Sequence, residues 1–184
     1  MAKGMDKMKM TDSVMRIYLT NLAAYNAGHL KGNWVNLPCD DIQAEIDKVL
    51  AMYPKSEELF ITDYESECGI TCGEYENIYK LNELCEEAED ILNDVGEDVF
   101  QAAVYALDTV KEAINCLRKG DYTYFAGIES DDDLGQAAVD EGLFGELPDE
   151  HPLSGYIDYE AIGRDMRLSG YVIHSETSIA ICCG

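Results

Sequence analysis

Between residues 40 and 98 the chain carries 19 acidic residues against three basic ones, Lys48, Lys55 and Lys80. No other feature constrains its folding as strongly. A helix in this segment cannot lean on Glu–Lys pairs at i, i+4, and its like-charged neighbours cost a few tenths of a kcal/mol each, so about all of its stability has to come from an apolar face. The excess is local. The first 39 residues balance at +3, residues 40–98 at −16, residues 99–150 at −9 and the last 34 at −2, which gives −24 for the chain. Direct binding of nucleic acid is excluded as a first reading, because it rests on Lys and Arg releasing counterions from phosphates. An anionic membrane would repel such a surface. The partners that fit are basic proteins.

The charge does not impose disorder. Leu, Ile, Val and Phe together make up 43 of 184 residues, about 23%, above the roughly 20% below which a charged chain stays unfolded. The first ten residues hold Lys3, Lys7 and Lys9 with no apolar stretch behind them, so no secretory leader is expected and the expected location is the cytoplasm. The seven cysteines form no CxxC pair and have no His at zinc-finger spacing, so they are expected as buried thiols without metal.

Hydrophobic patterning divides the chain. Val14–Thr20, Trp34–Leu37 and Leu59–Tyr64 read as strands, and Tyr25–Gly32 has turn chemistry. Ile42, Ile46, Val49 and Leu50 make a helix behind Asp40 and Asp41. Leu81, Leu84, Cys85, Ala88, Ile91 and Leu92 form the stripe of an acidic helix. A second long helix is expected over Asp98–Lys119, with Gly120 as its cap. Tyr122–Ala126 reads as a strand, and Ser130 opens a helix whose first turn is Asp131–Asp133. A loop with two prolines, a helix over Tyr156–Met166 and a hairpin of Tyr171–His174 with Ser178–Cys182 complete the chain. The expectation is an α+β chain of three small domains with antiparallel sheets: α/β over 1–72, acidic and helical over 73–119, α/β over 120–184.

No catalytic constellation emerges. There is no GxGxxG, no GxxxxGK[ST] and no HExxH, and His29, His151 and His174 lie far apart. Asp63 and Glu65 share one face of a strand end, yet with 37 acids such pairs arise by chance. Asp131–Asp133 lack EF-hand spacing. No enzyme, cofactor or metal is expected. The charge itself is the informative feature. At one charge per about 1.7 Å of duplex axis, −24 corresponds to about 41 Å of B-form DNA, or about 12 base pairs.

Several segments together resemble the ArdA antirestriction proteins of conjugative plasmids and transposons. They are RIYLTNLAAYNAGHLKGNWVNLP (16–38), ELFITDYES (58–66), EYENIYKLNEL (74–84), GELP (145–148) and YIDYEAIGRDMRLSG (156–170). The resemblance implies an elongated acidic homodimer that mimics bent B-form DNA. It would occupy the DNA-binding groove of type I restriction-modification enzymes, at their methyltransferase core, and so spare incoming foreign DNA. The mimicking surface would be drawn from Asp63, Glu65, Glu67, Glu74, Glu76, Glu83, Glu86, Glu87, Asp90, Asp94, Glu97, Asp98, Asp131, Asp132 and Asp133. The family's antirestriction segment falls on about Leu143–Arg164, where Leu143, Phe144, Leu147 and Tyr156 are the expected dimer contact. The same charge also fits an acidic chaperone or regulator of another basic protein, and a carboxylate or metal-dependent enzyme is the third alternative.

Overall fold

The computed structural model describes residues 13–66, 68–145 and 154–184. The chain divides into two compact units, one up to Asp90 and one from Ile91.

The first unit is built on an antiparallel sheet. Strand β1 (Met15–Asn21) lies between β2 (Gly32–Leu37) and β3 (Leu59–Ser66). Alternation in β1 sends Met15, Ile17 and Leu19 to one face, where Val35 and Leu37 join them and helix α2 (Ile42–Leu50) contributes Ile46 and Val49. The expected limits of α2 match the structure, because Asp41 caps its first turn by accepting from the Ala44 N–H at 2.9 Å. The expected turn after β1 begins instead as a short helix, α1 (Leu22–Asn26). The buried Asn21 explains the difference. Its Oδ1 accepts from the Ala24 N–H at 3.0 Å and from Ser56 Oγ at 2.8 Å, while its Nδ2 donates to the Val49 carbonyl at 2.9 Å. One side chain therefore starts α1 and ties down the end of α2.

The β1–β3 register slips by one residue. Tyr18 pairs with Asp63 and Leu19 with Ile61, so Thr62 is left over as a bulge. Its hydroxyl lies 2.7 Å from that of Thr20. The slip puts Phe60, opposite Thr20, on the same face as Asp63, opposite Tyr18. Strict alternation would have sent them to opposite faces.

Helix α3 (Ile78–Val95) begins at Asn77, whose side chain accepts from the Lys80 N–H at 3.1 Å. Leu81, Cys85 and Ala88 are buried. The buried Asn82 accepts from the Cys39 N–H at 2.9 Å and donates to the Cys39 carbonyl at 3.3 Å, holding α3 to the chain beyond β2.

In the second unit the expected single helix over Asp98–Lys119 is two helices, α4 (Glu97–Leu107) and α5 (Val110–Lys119). Asp108 ends α4 in the left-handed region at φ 61°, and Thr109 caps α5 by accepting from the Glu112 N–H at 3.2 Å. The second sheet is antiparallel, with β6 (Ile179–Cys183) between β4 (Tyr122–Ala126) and β5 (Val172–His174). Helix α6 (Asp131–Asp140) starts at Ser130 as expected. Helix α7 runs Tyr159–Leu168 behind the cap Asp158, so Tyr156 falls before it in a 3-10 turn. Phe125, Ile128, Leu134, Ala138, Met166 and Ala180 form one core cluster. Where α6 meets α7, a Cβ at Gly135 would stand 1.9 Å from the Tyr159 carbonyl oxygen, and one at Gly163 would stand 1.8 Å from that of Asp131. The two backbones touch, and only glycine leaves them room.

Candidate partner-binding surface

Helix α3 presents a row of carboxylates. Glu83, Glu86, Glu87, Glu89 and Asp90 are all exposed. At about 100° per residue they fall within an arc of roughly 160°, opposite Leu81, Cys85 and Ala88. At about 1.5 Å rise per residue, the five charges occupy about 10 Å of axis, or one per about 2 Å. That spacing lies between the roughly 3.4 Å per phosphate of one DNA strand and the roughly 1.7 Å of the duplex. No Lys or Arg interrupts the helix between Glu83 and Val95. Glu86 accepts from Asn82 Nδ2 at 2.8 Å, so the buried amide that anchors α3 also orients one member of the row.

The opposite side of this helix is dry. Burial pushes the Cys85 thiol up to about 12. None of the seven cysteines is in a disulfide; Cys68 and Cys85 are buried and the others half-buried.

The other expected acids of the first unit sit on or beside the sheet. Asp63, Glu65, Glu74 and Glu76 are exposed, and Glu67 lies outside the described residues. Asp63 and Glu65 share the outer face of β3, as expected. Glu65 is engaged by Arg16 Nη1 at 3.0 Å, and the Arg16 guanidinium also sits 4.9 Å above the Trp34 ring. Glu74 is brought to the sheet edge by its own carbonyl, which accepts from the Ile61 N–H at 2.8 Å.

The expected acids of the second unit do different work. Asp94, Asp98 and Asp132 are exposed. Glu97 accepts from Gln101 Nε2 at 2.9 Å. Asp131 pairs with Arg167 Nη1 at 3.2 Å. Asp133 accepts from Ser130 Oγ at 2.7 Å and from the Glu129 N–H at 3.2 Å, which holds its carboxyl below the usual range. Asp131 and Asp133 are thus held in place by the start of α6 and by α7.

After α6, Leu143 and Phe144 are exposed, and Tyr156 is 84% exposed. Leu147 lies outside the described residues. Among the described residues no helix is long and apolar enough to cross a membrane.

Sequence reasoning missed an aromatic group on the outer face of the first sheet. Tyr18 meets Trp34 edge-on at 5.4 Å, Tyr25 meets Phe60 edge-on at 5.2 Å, and Phe60 stacks with Tyr75 at 6.1 Å. The alternation of Arg16, Tyr18 and Thr20 along β1 was a signal for part of it. The contribution of Phe60 depends on the bulge and had none.

A search among curated proteins finds no significant match. The family model described as antirestriction protein (ArdA) matches residues 17–180, which takes in most of both sheets, the acidic helix and the α6–α7 crossing. The chain belongs to the ArdA antirestriction protein family.

Proposed function

We propose that this protein acts as a mimic of B-form DNA, occupying the DNA-binding groove of a type I restriction-modification enzyme at its methyltransferase core and blocking restriction of incoming DNA. The observation that carries the reading is the carboxylate row of α3. Five acids stand on the exposed arc at a charge spacing close to that of DNA, with no Lys or Arg among them. A face kept merely soluble would intersperse both signs and gain from i, i+4 pairs. A groove built to bind phosphates offers fixed Lys and Arg, and a carboxylate row releases the same counterions from them. Leu143, Phe144 and Tyr156, exposed and apolar or aromatic, supply a surface for self-association as a homodimer.

The test is competition. Purified protein is titrated into a type I methyltransferase core bound to labelled duplex, across a salt series. Displacement that weakens steeply with salt and is reversed by excess unlabelled duplex is the expected result. Unchanged DNA binding at micromolar protein, for every type I enzyme tried, overturns it.

A further inference from the structure

The outer face of the first sheet holds a cavity of about 540 Å³ whose walls include Tyr18, Tyr25, Trp34 and Phe60 and whose polar members include Asp63 and Glu74. Its construction depends on the bulge. The slip at Thr62 turns Phe60 and Asp63 to one face, and the backbone bond from Ile61 to the Glu74 carbonyl brings the second carboxylate beside them. Tyr25 stands 53% exposed at its mouth. Asp63 accepts from the Tyr64 N–H at 2.9 Å, and among the described residues neither it nor Glu74 has a cationic partner. A few residues along the same face, Arg16 shows what such a surface attracts. Its guanidinium lies over Trp34 and meets a carboxylate at 3.0 Å.

We infer that this cavity is a receptor for an arginine side chain presented by the protein partner. Aromatic walls attract a cation through their negative faces, and a planar, weakly hydrated guanidinium stacks on them better than an ammonium does. Two carboxylates with no cationic partner supply charge-assisted acceptors for its N–H donors. The inference rests on the reading of the partner as a basic DNA-binding protein, and it goes further. The contact would include a shaped pocket for one side chain, which a mimic made only of distributed charge does not need.

Trp34 is the only tryptophan in the chain, so its emission reports on the pocket. The full-length protein is titrated at constant ionic strength with arginine amide, lysine amide and the neutral isostere citrulline amide. A saturable change with arginine amide, weaker with lysine amide and absent with citrulline amide, is the expected result. The double variant Asp63→Asn/Glu74→Gln should bind arginine amide about tenfold or more weakly. Both positions are exposed, and an unchanged melting temperature shows that the variant is folded. No saturable change, an equal response to citrulline amide, an equal or stronger response to lysine amide, or an unaltered titration in the double variant overturns the inference. The titration contains no restriction enzyme. Its failure therefore counts against the pocket, whereas failure of the duplex competition counts against the choice of partner.

Discussion

The α-carbon of Gly163 sits so close to the carbonyl oxygen of Asp131 that a methyl group on it would fall 1.8 Å from that oxygen. Backbone cannot yield as a flexible side chain does. Gly163→Ala should therefore destabilise the second unit by at least about 1–3 kcal/mol, the usual cost of overpacking, and Gly135→Ala should do the same against Tyr159. Gly155→Ala is the control, since its added methyl meets nothing within 4 Å. Urea denaturation of the three variants checks the order.

The joint between α4 and α5 gives a pair of opposite effects. Asp108 holds φ 61° without being glycine, so Asp108→Gly should stabilise by about 0.5–1 kcal/mol through relief of the left-handed strain. Thr109→Ala removes the acceptor for the Glu112 N–H and should destabilise by about 1 kcal/mol. Thermal melts of the two variants should shift in opposite directions.

Charge removal from α3 should separate stability from inhibition. Changing Glu83, Glu86, Glu87, Glu89 and Asp90 together to their amides relieves like-charge contacts such as Glu83 with Glu87 and Glu86 with Asp90, worth a few tenths of a kcal/mol per pair. The variant should melt at or above the parent temperature and yet displace duplex from a type I core much less well. Asp90→Asn alone should change displacement little, because the charge is shared. A collapse of displacement in that single variant would contradict a distributed surface.

Cys85 sets an alkaline limit. Its folded-state thiol titrates at about 12 because of burial, against about 8.5 in an unfolded chain. The raised value means that the folded state favours the neutral thiol. The contribution is whole below about pH 8.5 and is lost as pH climbs toward 12. In urea titrations from pH 8 to 11, Cys85→Ala should lose less stability with rising pH than the parent does. Alkylation followed by mass spectrometry at pH 8 should label half-buried Cys39 and Cys72 well before Cys85.

The elements legible in the sequence are those whose signals are local. Asp41 before Ile42 and Ser130 before Asp131 each start a helix where a capping side chain meets an apolar period, and both helices begin there. The break at Asp108 was hidden because Val99, Ala103 and Leu107 continue into Val110, Ile114 and Leu117 without a lapse in helical spacing. Periodicity does not register a turn that preserves its phase. The capping box Thr109-Val-Lys-Glu112 was the available sign. Short α1 was missed because Asn21 earns its place through partners in two distant segments, the end of α2 and Ser56. At the candidate surface, the outward acids of α3 follow from its apolar stripe. Which acids are engaged, as Glu65 is by Arg16 and Asp131 by Arg167, follows only from tertiary contacts. The aromatic cavity needed the one-residue slip at Thr62, which alternation along a single strand does not encode.

The crossing of α6 and α7 is set by two absent methyl groups and by carbonyl oxygens that every amino acid possesses. Asp131 contributes to it twice, its main-chain oxygen facing Gly163 and its carboxylate meeting Arg167 Nη1 of α7 at 3.2 Å. The close approach of the two helices is thus specified by Gly135 and Gly163, positions that carry no charge. Exchanging an exposed carboxylate such as Asp132 would leave that close approach of backbone to backbone untouched.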